Sequence, residues 1–267
     1  MKKEELELRK AFYNLEKQYR PYLDVLTENQ DIYPEYTGAI TLDGYLNYKP
    51  DILFLGYNPA HGKYRDWNKD GAHLVYTGER PFGFFEVGNA RKNGRQWWET
   101  NQARGNSFPA NIIDFLYQYV AELGIDSEYQ TFKRPKWSNG IESKIMAINI
   151  YPIATKSSKE LMNLFKKMIN NKAIPEIKSC EEEWDIRKIF IHQIQDFIAD
   201  FIKPKAILCI GTQTISDYTW GKFQKKEGGI MISPDHPNMI GISRSGTWNT
   251  RAKIAAKLIA DIVKQYN

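Results

Sequence analysis

Four short apolar runs, each cut off by Gly or Pro, limit most strongly how this chain can fold. They are Asp51-Ile52-Leu53-Phe54-Leu55-Gly56, Ile145-Met146-Ala147-Ile148-Asn149-Ile150 ahead of Pro152, Ala206-Ile207-Leu208-Cys209-Ile210 ahead of Gly211, and Gly229-Ile230-Met231-Ile232-Ser233 ahead of Pro234. Continuous apolar runs of this length suit strands buried on both faces, as in a parallel sheet. Stretches with helical apolar spacing separate them: Asn111–Leu123, Glu160–Ile169, Glu183–Ile202 and Thr212–Trp220. A last one, Thr247–Tyr266, places Ile254, Leu258, Ile262 and Val263 on one face. An opening one, Glu4–Leu26, spaces Leu6, Leu8, Phe12, Leu15, Tyr19 and Leu23 in the same way, and Pro21 predicts a break or kink in it. The alternation predicts an α/β fold, three layers α/β/α around a central four-stranded parallel sheet. It reads as a single domain over residues 1–267, with residues 1–49 forming an N-terminal helix and loop packed on it.

Composition narrows the classes open to such a fold. Hydrophobic residues make up 42% and charged residues 26% of the 267, enough of the former for a sizeable core. The net charge of +5 is compatible with a polyanionic partner without demanding one. Acidic residues are plentiful, so a basic surface has to be local. The two cysteines, Cys180 and Cys209, form no Cys-x-x-Cys pair, which argues against a zinc site or an iron–sulfur cluster. Cys209, inside an apolar run, reads as a small buried hydrophobe. The start, Met1-Lys2-Lys3-Glu4-Glu5, is charged, and no apolar stretch is long enough to cross a membrane. The expectation is a soluble, cytoplasmic monomer that needs no cofactor or metal and binds no membrane.

In open parallel sheets, ligands sit beyond the carboxyl ends of the strands. The residues expected there are Gly56-Tyr57-Asn58-Pro59-Ala60-His61-Gly62, then Asn149 with Tyr151-Pro152-Ile153, then Gly211-Thr212-Gln213, then Ser233-Pro234-Asp235-His236-Pro237-Asn238. Each has a plain structural reading: Asn58-Pro59 as a turn, His236 as a loop residue, Asn149 as a local backbone partner, Phe82 and Phe84 as core. Only their order and position together point to a site. The segment from His61 to Ser107 is crowded with Gly, Asn, Arg and aromatics, the composition of a long functional loop.

That order resembles the uracil-DNA glycosylase superfamily, above all its single-strand-selective monofunctional branch. Leu53-Phe54-Leu55-Gly56-Tyr57-Asn58-Pro59-Ala60 is similar to a strand followed by Gly-Met-Asn-Pro-Gly. Thr77-Gly78-Glu79-Arg80-Pro81-Phe82-Gly83 with Glu86-Val87 is similar to Thr-Gly-x-Pro-Phe-Gly-x-Val, with residues inserted. Asn149-Ile150-Tyr151-Pro152-Ile153 is similar to Asn-x-x-Pro-Leu, and Ile207-Leu208-Cys209-Ile210-Gly211 takes the place of Val-Val-Gly-Val-Gly. His236-Pro237-Asn238 followed by Gly246-Thr247-Trp248 is similar to His-Pro-Ser followed by Gly-Trp. The resemblance spans roughly residues 50–260, with 91–107 and 156–185 poorly matched. Ala60 replaces the Gly of the first motif, and Asn238-Met239-Ile240-Gly241 replaces the usual Ser-Pro of the last.

The resemblance implies a monofunctional DNA glycosylase of base excision repair, with DNA as partner. It would flip uracil or a related damaged base out of the helix and hydrolyse the N-glycosidic bond. Asn58 would orient the attacking water, and His236 would donate to the base carbonyl as negative charge develops. Asn149 would read the base edge, Phe82 would stack on it, and the backbone of Tyr57 and Pro59 would shape the floor. Met239 and Ile240, in a loop expected to be exposed, would be the wedge filling the vacated stack. Lys63, Ser243, Arg244 and Ser245 would contact phosphates. Two alternatives stay open: a catalytically inactive member of the fold that binds nucleic acid or a nucleotide, and a hydrolase of a free nucleoside or of another damaged base.

Overall fold

The computed structural model describes residues 3–39, 46–59, 107–126, 141–170, 174–243 and 248–266. In chain order the elements are α1 (Lys3–Glu28), β1 (Ile52–Gly56), α2 (Ser107–Glu122), β2 (Ile145–Asn149), α3 (Ser158–Ile169), α4 (Glu183–Phe197), β3 (Ala206–Ile210), α5 (Thr212–Tyr218), β4 (Gln224–Lys225), β5 (Ile230–Ser233), β6 (His236–Ile242) and α6 (Trp248–Lys264). The architecture is α/β, as the alternation of runs predicts, but the sheet formed by the described residues is mixed and has six strands, in the order β2-β1-β3-β6-β5-β4. β1 pairs in parallel with β2 and with β3, and β3 pairs in parallel with β6.

One strand assignment from sequence is corrected. The Ile230–Ser233 run is not a parallel strand. It runs antiparallel to β6, from Ile230 opposite Ile242 down to Ser233 opposite His236. Pro234-Asp235 forms the tight turn between them, and the strand beside β3 is His236–Ile242, with Met239 opposite Ile207 and Ile242 opposite Ile210. Two neighbouring apolar runs separated by a few Pro, Asp and Asn residues form a hairpin. Pro237 is tolerated because it lies at the start of the strand, before the ladder with β3 begins.

Side chains alternate across the sheet into two cores. Leu53, Leu55, Met146, Ile148, Ile207 and Cys209 pack with α1, α3, α4 and α5, whereas Ile52, Phe54, Ala147, Leu208, Ile240 and Ile242 pack with α2 and α6. The period of two in a strand produces this sandwich directly. α1 runs unbroken through Pro21, contrary to the expected break. Losing that backbone bond costs about 3 kcal/mol. Burial of Tyr19, Tyr22, Leu23 and Leu26 outweighs it at about 1.5–3 kcal/mol per large side chain. Two of those rings close on Phe190 of α4, with centroids 5.4 and 4.9 Å away. The buried face of α6 is also rotated from the expected one. It consists of Ala252, Ala255, Ala256, Ile259, Ala260 and Val263, while Ile254 is exposed. A face this rich in alanine lets α6 pack closely against α2 and the sheet.

Candidate functional site

The carboxyl ends of β1 and β2 stay joined beyond the strands themselves. Gly56 pairs with Asn149, the Ile150 amide donates to the Gly56 carbonyl (2.9 Å), and the Tyr151 amide donates to the Tyr57 carbonyl (3.0 Å). Further on, the Thr155 amide reaches the Pro59 carbonyl at 3.3 Å. The half-buried Asn58 is thus enclosed by its own strand end and by the segment that follows β2. Its Nδ2 donates to the Pro59 carbonyl (3.1 Å), the Ile153 carbonyl (3.3 Å) and Thr155 Oγ1 (3.0 Å). Two of these partners are carbonyls, which only accept, so the amide has one allowed orientation. Its nitrogen faces the protein, and Oδ1 is the atom left to accept a proton from elsewhere.

Asn149 lies across the end of β1. A Cβ added to Gly56 would come within 2.4 Å of Asn149 Oδ1, so the glycine is what permits this crossing. The two asparagines therefore stand on neighbouring strands at the same edge. The first turns of two helices reach that edge as well. α6 starts five residues beyond Ser243, the residue that follows β6, and the Trp248 indole donates to the Asn111 carbonyl in α2 at 2.8 Å.

Beneath the edge lies a buried ionic network. Tyr151 donates its hydroxyl to Asp217 Oδ2 at 2.6 Å, and Arg187 of α4 forks onto the same carboxylate, through Nε to Oδ2 at 3.3 Å and through Nη2 to Oδ1. Burial alone would lower the Arg187 pKa, but the bonds to Asp217 and the Tyr151 oxygen drive it upward. Burial first, then the Asp217 charge, raises both Tyr57 and Tyr151. Both phenols therefore stay neutral and act as packing and hydrogen-bonding groups. The Tyr57 ring meets that of Tyr151 edge-on at 5.0 Å and is 4% exposed. The Tyr57 ring is thus a core group, while its backbone, the part expected to shape the pocket floor, stays at the edge through its carbonyl. Pro59 keeps its place at the edge through its carbonyl.

No family model matches the chain, and no curated protein matches it.

His236 is the principal correction. It opens β6, and because β6 runs parallel to β1 and β3, its imidazole stands at the amino edge, the far end of the sheet from Asn58 and Asn149. Its ring packs edge-on against Tyr218 at 5.7 Å and lines a groove of about 880 Å³ there. Met239 and Ile240 are corrected with it. They lie within β6 at 1% and 4% exposure, and neither is available as a wedge. The apolar run Met239-Ile240-Gly241-Ile242 ahead of a helix repeats the strand–helix pattern seen elsewhere in the chain, and it was the signal for this strand.

Ser243 follows β6 at the carboxyl edge, its amide donating to the Gly229 carbonyl at 3.0 Å and its carbonyl accepting from Arg251 at 3.2 Å. Phe82, Lys63, Arg244 and Ser245 lie outside the described residues, as does the 60–106 segment with its Pro81-Phe82-Gly83 motif. Sequence reasoning did not single out Thr155, Arg187 or Asp217, nor the contacts that Gly56 and the Ile153 carbonyl make. Their roles come from contacts between segments 30–100 residues apart, which no local pattern encodes. Among the described residues no group of three or more His, Cys, Asp or Glu is placed to hold a metal ion, and no helix is long and apolar enough to cross a membrane.

Proposed function

We propose that this chain hydrolyses the N-glycosidic bond of uracil or a related damaged base in DNA, without strand cleavage, and that its site is the carboxyl edge around Asn58 and Asn149. The observation that carries the reading is the orientation of Asn58. With its nitrogen facing three acceptors, its oxygen is set to accept a hydrogen bond from a water and so to aim a water lone pair. An amide cannot take the proton, so its contribution is orientation. The C1′–N bond breaks with its electron pair leaving on the base, water adds to the sugar carbon, and the released proton passes to solvent. Asn149 supplies a flat amide for the base edge. Negative charge developing on the base faces the amino ends of α2 and α6, where helix dipoles favour it. Within the mixed six-stranded sheet, the neighbouring strands β2, β1, β3 and β6 run parallel, and this supports the reading. Phe82, Lys63, Arg244 and Ser245 keep the stacking and phosphate roles that the resemblance gives them, and His236, Met239 and Ile240 lose theirs.

A second reading, a binding member of the same fold without catalysis, is favoured by one observation. With His236 at the far edge, the imidazole expected to polarise the base is not beside Asn58. One experiment separates the two. Single- and double-stranded oligonucleotides carrying uracil, xanthine or hypoxanthine are incubated with the protein and then treated with alkali. Cleavage at the modified position after alkali supports the hydrolase. Retention of the same oligonucleotides in a binding assay with no alkali-labile site supports the second reading.

A further inference from the structure

The amino-edge groove has features that the carboxyl-edge site does not account for. Lys49, Lys203 and Trp220 all line it, and they are the non-glycine residues with positive φ among those described, at 49°, 53° and 55°. Left-handed backbone at a bulky residue is uncommon and costs on the order of 1–3 kcal/mol. Two of the three stand at helix ends, Lys203 capping Ile198–Ile202 and Trp220 following α5, where a left-handed residue is a common terminator, and all three line one cavity. The wall that ends in Lys203 is a π-helical turn, Ile198–Ile202, an element found mostly at functional positions. Lys49 is tied to that turn by its amide, which donates to the Ile202 carbonyl at 2.9 Å.

The lining also has a definite chemistry. Lys49, Lys203 and Lys205 line it against one carboxylate, Asp196, so the lining carries more positive than negative charge, and Lys205 is matched by Asp51 at 2.9 Å. Lys49 and Lys203 are both exposed and have no carboxylate partner within ion-pair distance among the described residues, the Lys49 ammonium lying 5.4 Å from the Tyr48 ring centroid. Gln195 donates its amide nitrogen to the Tyr218 carbonyl (2.6 Å), and Asn238 donates its own to the Lys205 carbonyl (3.3 Å). What these two side chains offer the groove is therefore carbonyl oxygen, an acceptor for N–H groups. Trp220 adds an indole to the lining, and its ring also packs against His192 (4.8 Å) and Trp184 (5.8 Å). A volume of about 880 Å³ suits a small molecule.

We infer that the amino-edge groove is a second ligand site, for a nucleoside monophosphate whose base carries an exocyclic amine. The base stacks on Trp220 and donates to Gln195 and Asn238, and the phosphate lies between Lys49 and Lys203. This site is at the opposite end of the sheet from Asn58 and does not depend on the glycosylase reading. The test is calorimetric titration of the full chain with AMP, adenosine, inorganic phosphate and UMP, repeated on the double variant Lys49→Asn/Lys203→Asn. Asparagine tolerates the left-handed backbone, and both positions are exposed, so the variant keeps its fold. The expected result is saturable AMP binding, at least about tenfold tighter than that of adenosine, phosphate or UMP, with the AMP Kd rising about tenfold in the variant. No saturable AMP binding overturns the inference, as does equal affinity for any of the three comparison ligands or an AMP Kd that the variant leaves unchanged.

Discussion

At the carboxyl edge of the sheet, Asn58 is fixed by two backbone carbonyls and a threonine hydroxyl, and the bare Cα of Gly56 leaves room for Asn149 across the strand end. At the amino edge the backbone itself is bent, at Lys49, Lys203 and Trp220, and the side chains project into an open groove. The first arrangement suits orienting a small reactant such as water. The second suits accommodating a whole ligand. The strands between them are nearly uniform apolar runs, so the difference arises entirely in the residues just outside the ladder.

Perturbing what holds the carboxyl edge should have the largest effect. Arg187→Met leaves the Asp217 carboxylate buried beside Tyr151 without its cation, and should cost about 3–5 kcal/mol in denaturant unfolding. Adding Asp217→Asn removes the orphaned charge and should return part of that loss. A smaller effect is expected from Asn58→Asp. It would turn a carboxylate oxygen toward the Pro59 and Ile153 carbonyls and lose their hydrogen bonds, for about 1–3 kcal/mol of stability. An unchanged unfolding midpoint would mean that the Asn58 amide is not locked as described.

Gly56→Ala should leave stability within about 1 kcal/mol, because the clash falls on the movable tip of Asn149 rather than on backbone. Asn149 must then swing off the edge, so base release should fall while the unfolding midpoint holds. The same substitution destabilising the protein strongly would show that Asn149 cannot move. The smallest effect concerns Asp185, in the first turn of α4. Its bond from Lys188, then those from the Glu181 and Glu182 amides, hold its carboxyl down at about 2. A lowered pKa in the folded state means that the stabilisation is complete above the ordinary carboxylate range, about pH 4, and is lost as pH falls toward about 2. The difference in unfolding midpoint between the native chain and Asp185→Asn should therefore shrink over that interval.

Much of the fold could be read from the sequence because its strands are buried on both faces. Runs such as Ile52–Leu55 and Ala206–Ile210 have no other use in a chain of this composition, and the helices between them repeat at helical spacing. What misled was His236-Pro237. A histidine–proline pair just after an apolar run reads as the loop beyond a strand, whereas Pro234-Asp235 turns the chain first and the pair opens the next strand. Strand direction is a matter of pairing, and period-two patterning is the same in both directions. The placement of Asn58, Asn149 and Pro59 at the carboxyl edge was legible because each directly follows or ends a buried run. Thr155, Arg187 and Asp217 were not, because each acquires its role from a partner far away in the chain.

The central claim is that the chemistry lies at the carboxyl edge and does not involve His236. The most direct test is the rate of base release from a uracil-containing oligonucleotide by Asn58→Ala and by His236→Ala, each compared with the native chain. Loss of an orienting group in the transition state should slow Asn58→Ala by about 10²-fold or more, while His236→Ala, at the far end of the sheet, keeps the native rate. A His236→Ala variant that loses base release while Asn58→Ala retains it would contradict the account.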